Sequence, residues 1–357
     1  MRSAVLDDRV DVDMVTAERM LSYVSSESRE TWLQIGMGLK HEFGEAAFAM
    51  WDRWSQTSDR YQPRAAESVW RSFKHRAGGF TLGTVIKFAT AGGFRFDKNE
   101  SRVVTADEME ARRRERDARD AAAAQAREVE AQTAANRALE TWTRAALGGV
   151  SPYLVRKAIT RAEGVRFSRD WLIVPMIRYD MPDAQALRGV QVIKPSGEKR
   201  FTAGMLKTEP YGTQTRGVAC ALSMPPESAY DGPIVIGEGY ATCASVRAAS
   251  GYQFPTFAAF DCGGLLPAAR VIRALWPKSG LLLVADDDYL TDGNPGVTKA
   301  KEAAAALKRA TWMRPFFSGS KPRNGGTDFN DLHVAEGLGA VTAQIVPALD
   351  LIKRGRV

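Results

Sequence analysis

The chain has 357 residues and a formal net charge of +7, with 45% of its residues hydrophobic and 25% charged. That length accommodates about two or three domains, and the composition is that of a soluble globular protein. No apolar run approaches the ~20 residues of a membrane span, and the opening stretch MRSAVLDDRVDVDMV lacks the apolar core of a signal peptide, so the expectation is a cytoplasmic chain with no membrane association.

The cysteines Cys220, Cys243 and Cys262 and the histidines His41, His75 and His333 are scattered, without a CxxC pair. That spacing argues against a zinc site and for reduced, buried thiols. The basic balance favours polyanionic partners.

Residues 15–95 read as a small all-α domain. AERMLSYV is one amphipathic stretch. The segments 28–40, 46–54 and 65–75 follow, with Trp32, Ile35, Phe48, Trp51, Trp54, Val69, Trp70 and Phe73 at helical spacing. TLGTVIKFATAGG closes the set at Gly92–Gly93. The aromatic residues are read as core, while Arg53, Arg60, Lys74 and Arg76 are candidates for a nucleic-acid face.

Residues 103–147 are rich in Ala, Glu and Arg and contain Gly or Pro nowhere before the end of the run, which predicts a long helix laced with i,i+4 charge pairs. Its apolar positions are mostly alanine, so a solvated connector spanning roughly 60 Å and holding the domains apart is expected, rather than a coiled coil. Residues 148–229 turn β-rich: DWLIVPMIRYD, ALRGVQVIK and KRFTA are separated by turn signals, with Pro195–Ser196–Gly197 as a hairpin loop. An antiparallel, half-exposed sheet follows, with Lys194, Lys199, Arg200 and Lys207 near one another.

From residue 230 to 357 strands alternate with helices. PIVIGEG, PTFAAFD, GLLLVADDD and TWMRPFF are the strands, and a last helix covers 341–353. Such alternation predicts a parallel sheet with helices on both faces. Function in such sheets gathers at the carboxyl ends of the strands. Those ends carry Glu238, Asp261 and the run Asp286–Asp287–Asp288, and a later loop adds Asp328 and Asp331. Crowded carboxylates raise one another's pKa, and a divalent cation removes that cost. Oxygen-only ligands suit Mg2+ or Mn2+, and metal ions held this way support phosphoryl transfer.

IVIGEGYATCASV, AAFDCGG, LLLVADDDYLTDGNPGVTKA and GGTDFNDLHVAEGL resemble the Toprim domain, a Rossmann-like parallel sheet, of plasmid- and phage-type primases. The resemblance implies that Glu238 is the general acid or base and that Asp286 and Asp288 bind Mg2+. Asp287 is a further carboxylate between them, which leaves the metal assignment open among the three. Asp328 and Asp331 match a motif of the subgroup, and Asp261 is a supporting candidate.

YLVRKAI, DWLIVPMI, LRGVQVIK and GEKRF look like the β-rich subdomain that precedes Toprim in those primases. There, basic residues face template and incoming nucleotide, a role that falls to Lys199 and Arg200, with Lys194 and Lys207. WLQIGMGLKHEFG, WDRWSQTSDRY, VWRSFK and FTLGTVIKFA are similar to the primase C-terminal type 2 module of mobile-element replication proteins.

The expectation is therefore a multidomain α and α/β chain acting as the DNA primase of a phage or plasmid. It would make short RNA primers on single-stranded DNA from nucleoside triphosphates, with Mg2+ or Mn2+ and without zinc. A Toprim-type nuclease and a non-catalytic replication adaptor are the alternatives. Bacterial-type primases usually carry an N-terminal zinc-binding domain, and this sequence shows none. Start-site recognition would then come from another protein, or be relaxed, or the chain would no longer prime. No GxxxxGK[ST] loop occurs, so unwinding would fall to a separate replicative helicase.

Overall fold

The computed structural model describes residues 12–73, 79–96, 106–205, 216–319 and 325–355; Lys74, His75, Arg76 and Lys207 lie outside the described residues. The chain divides into two compact units, Met1–Asp120 and Ala121–Val357. No described helix is long and apolar enough to cross a membrane.

The first unit contains helices α1 (Met14–Leu21), α2 (Arg29–Phe43), α3 (Phe48–Ser55), α4 (Pro63–Ser72) and α5 (Leu82–Ala91). Their starts follow local chemistry. Asp13 and Ser28 cap α1 and α2 by accepting from the N–H groups of Thr16 and Thr31, and Pro63 opens α4. Trp51, Trp54 and Trp70 are buried, and the rings of Trp51 and Trp70 lie 5.2 Å apart.

Each indole N–H in this core finds an oxygen. Trp32 donates to Ser55 Oγ at 2.7 Å, Trp54 to the Val24 carbonyl at 2.8 Å and Trp70 to Glu45 at 2.7 Å. A buried aromatic with its polar handle satisfied is core, as the helical spacing implied. Of the expected basic face, Arg53 pairs with Glu18 and Arg60 is exposed.

Helix α6 (Ala106–Arg144) is continuous. Its C-terminal part is not solvated as expected. Ala131, Ala134, Ala135 and Ala138 are buried, and Ala138 with Ala145 packs on Ile173 and Val190. The reason is size: alanines at i, i+3, i+4 and i+7 make a narrow apolar face that lets a helix approach a sheet closely.

That sheet is antiparallel, in the order β1 (Arg166–Ser168), β2 (Trp171–Ile177), β3 (Leu187–Ile193), β4 (Lys199–Phe201). Its middle is buried rather than half-exposed. Ile173 and Val190 face α6, while Leu172, Val174 and Met176 face the cluster holding Tyr240, Ala241 and Cys243. Alternate residues of one strand thus serve two cores. Short helix α7 (Pro152–Arg156) precedes this sheet in sequence, and short helix α8 (Asp183–Ala186) connects β2 to β3.

A second sheet runs β5 (Cys220–Ala221), β7 (Thr256–Ala258), β6 (Ile234–Gly237), β8 (Leu281–Val284), β9 (Ala310–Met313). The last four are mutually parallel, and β5 is an antiparallel edge on β7. Ile234, Ile236, Leu281 and Leu283 pack with helix α10 (Cys262–Leu275) and with Ala303 and Ala304 of α11 (Pro295–Ala305). Val235, Leu282 and Val284 pack with α9 (Tyr240–Ala249), α12 (Phe329–Glu336) and α13 (Leu338–Lys353). The chain leaves β6 toward β7 on one side and returns to β8 on the other. The carboxyl ends of β6 and β8 therefore flank a topological switch point, where such sheets form a crevice.

Candidate active site

The register places the acidic residues. Gly237 of β6 pairs with Val284 of β8, so Glu238 and Asp286 emerge side by side just past the last paired position. Glu238 is only 6% exposed, and its Oε1 accepts from the Asp286 N–H at 3.4 Å. Beyond β8, Asp288 Oδ2 accepts from the Gly296 N–H at 3.0 Å, at the start of α11. A methyl group placed on Gly296 would lie 2.3 Å from the Asp286 carbonyl oxygen and 3.0 Å from both Asp288 Oδ2 and Glu238 Oε1. The residue is glycine because the three acidic residues close around it.

The neighbours arrive from other elements. Asp328 caps α12, accepting from the Asp331 N–H at 2.8 Å. Asp331 in turn accepts from the Thr327 N–H at 3.0 Å and pairs with Lys157 at 3.2 Å. Asp261 caps α10 through the Gly264 N–H at 2.8 Å, is exposed, and acts on Glu238 as a nearby charge. Phe260, just before it, holds a positive φ of 75°, a conformation that a bulky residue keeps only when packing imposes it. Its ring meets Phe201 of β4 at 6.3 Å.

The electrostatics are those of crowded acids. Burial, and then the charges of Asp288, Asp261 and Asp328, push Glu238 up to about 7, against the easing hydrogen bond from Asp286. Asp286 is held well above the ordinary carboxylate range by burial and by Asp328, Glu238 and Asp288, with Lys199 opposing. Burial and Asp331 likewise raise Asp328, while the Asp331 N–H and Lys157 oppose. Asp286 Oδ1 is shut off from solvent and has no hydrogen-bond partner.

Among the described residues, no three His, Cys, Asp or Glu side chains already sit as a shell around one ion. The cluster is instead a set of carboxylates that includes one buried acceptor without a hydrogen-bond partner. That donor set fits Mg2+, which takes one or two carboxylates and completes its shell with water and substrate phosphate.

Asp287, carried in the sequence as a third ligand candidate, points elsewhere. Its Oδ1 accepts from Arg314 at 2.9 Å and from Asn294 at 2.8 Å. Of the expected basic residues, Lys199 reaches the site: its Nζ stands 4.0 Å from where a Gly239 side chain would begin, at the N-terminus of α9. Lys194 and Arg200 both pair locally with Glu198. Lys157, Gly296, Asn294 and Arg314 were missed in the sequence. Asn294–Pro295–Gly296 carried a signal, since Asn followed by Pro marks a helix start.

Residues 17–89 match the family described as Primase C terminal 2 (PriCT-2). Two Escherichia coli proteins, both called DNA primase TraC, align with the chain over 161 residues at 35% and 34% identity. The aligned stretch is 44% of this chain and 14% and 10% of those proteins, so the chain matches a small part of each.

A crystal structure of the primase fragment of the bacteriophage T7 primase-helicase protein aligns with 56% of this chain and 74% of its own, at 13% identity and a TM-score of 0.34. Primase domains bound to an RNA/DNA hybrid and dTTP, in a complex with the T7 lagging-strand DNA polymerase, align at 11% identity and a TM-score of 0.33 over 51% of this chain and 81% of theirs. Those two likenesses are too loose to carry an argument.

Proposed function

We propose that this chain is the catalytic part of a DNA primase from a phage or plasmid, with a Toprim-type core that joins nucleoside triphosphates into short RNA primers on single-stranded DNA. The observation that carries this reading is the convergence of Glu238, Asp286 and Asp288 around Gly296 at the sheet's switch point. The PriCT-2 match and the likeness to proteins called DNA primase favour primer synthesis among the phosphoryl transfers that such a site supports.

In this reading Asp286 and Asp288 hold Mg2+ or Mn2+, which when bound neutralises phosphate charge and polarises the reacting oxygens. Glu238, poised near neutrality, takes the proton of the attacking 3′-hydroxyl. Lys199 and the N-terminus of α9 attract the triphosphate, and the carboxylates of Asp328 and Asp331, with Lys157, line the same edge. A replicative helicase is the expected separate partner, and the cytoplasm the expected compartment.

The test is a synthesis assay on mixed single-stranded templates with ribonucleoside triphosphates and Mg2+ or Mn2+. Template-dependent oligoribonucleotides are expected. Metal-dependent nicking of DNA without triphosphates would instead point to a nuclease, and the absence of any product, beside an active control primase, would sink the proposal.

A further inference from the structure

The middle aspartate of the acidic triplet is built differently from its neighbours. Gly296 meets Asp286, Asp288 and Glu238 together, and the charges of those three act on one another, whereas Asp287 has side-chain partners of its own. Asp287 is buried, with 3% of its surface exposed. Its Oδ1 takes both the Arg314 guanidinium, just past the end of β9, and the Asn294 amide. Its backbone N–H donates to the Thr327 carbonyl at 2.7 Å. Three separate chain segments therefore meet on this one residue.

Each segment also leads back to the carboxylate site. Asn294 keeps a left-handed φ of 42° and caps α11; two residues on, the Gly296 N–H holds Asp288 Oδ2. Thr327 precedes Asp328, and its own N–H orients Asp331. Arg314 fixes β9 to the end of β8. A charge buried without a partner is costly, so Asp287 binds these segments only while Arg314 neutralises it.

We infer that Arg314 and Asn294, acting through Asp287, are positioning residues that aim Asp286 and Asp288 at a shared cation, and that Asp287 is an internal counter-ion and not a ligand. The inference rests on the metal-site reading above and gives that site a support the sequence motif does not show. Partners that orient ligands in this way change metal affinity by about 10–100-fold when removed.

The experiment measures Mn2+ affinity of the full chain by electron paramagnetic resonance, with thermal unfolding of each variant as the control for folding. Asp287→Asn keeps an oxygen that can accept from both Arg314 and Asn294, so it is expected to weaken Mn2+ by no more than about threefold, whereas Asp288→Asn weakens it by about tenfold or more. Arg314→Met is expected to weaken binding by about tenfold or more at a similar melting temperature, and Arg314→Lys to restore most of the loss. Should Arg314→Met not fold, Asn294→Ala, which removes the other side-chain partner of Asp287, takes its place: a loss of about tenfold is expected, and wild-type affinity in the folded variant overturns the positioning role. Loss of Mn2+ in Asp287→Asn equal to that in Asp288→Asn overturns the counter-ion role, and wild-type affinity in a folded Arg314→Met overturns the positioning role. Wild-type protein that binds no Mn2+ overturns the metal-site reading itself, a result separate from the other two.

Discussion

Glu238 is a carboxylate buried among other carboxylates, and that sets its pH behaviour. Its folded value is about 7 against an ordinary 4.5. Between those values the folded protein holds a proton that the unfolded chain has released, so stability falls as pH rises through that window. Without divalent metal, the melting temperature of the second unit is expected to drop between about pH 4.5 and pH 7, with Asp286 and Asp328 acting in the same direction. Mg2+ is expected to raise it more at the upper end than at the lower, because a cation competes with the bound protons. Glu238→Gln should flatten the profile; an unchanged slope would contradict the assignment. Gly296→Ala is a second test at this scale. Its methyl would stand 2.3 Å from the Asp286 carbonyl oxygen and 3.0 Å from two site carboxylates, and a displacement of about 1 Å at such a site costs about 100-fold in turnover. Primer synthesis by Gly296→Ala near the wild-type rate would show that the close approach has no role.

Among the elements, the two sheets were legible to different degrees. The parallel strands showed themselves as short apolar runs, with β6, β7 and β8 each leading into an acid, and the pairing of Gly237 with Val284 turned that order into a site. β5 did not show itself: Cys220–Ala221 is too short to display a period. The packed face of α6 was hidden because alanine gives little hydrophobic contrast, although Ala131, Ala134, Ala135 and Ala138 are buried. Ala138→Leu should therefore overpack the space against Ile173 and Val190 and destabilise the second unit by about 1–3 kcal/mol, read from urea denaturation. A neutral effect would return α6 to the role of a solvated connector. Lys157 and Arg314 were invisible for another reason: each is a single charge whose partner, Asp331 or Asp287, is remote in sequence. The hairpin cations were visible, but local pairing with Glu198 takes Lys194 and Arg200 and leaves Lys199 to face the carboxylates.

At the scale of the whole chain, a helical unit matching PriCT-2 over residues 17–89 accompanies an α/β unit whose acidic edge gathers at one switch point. The net charge of +7 fits a chain that handles polyanions, and template binding is expected to weaken steeply with salt as phosphate counter-ions are released. The central claim is that Glu238 and its neighbours perform nucleotidyl transfer on a template. The most direct measurement is the initial rate of oligoribonucleotide synthesis on single-stranded DNA by wild type and Glu238→Gln, with template affinity measured on the same preparations. The account predicts template binding close to wild type and a rate lower by about 100- to 10,000-fold, the range that a general base contributes. A Glu238→Gln protein that primes as fast as wild type would contradict it.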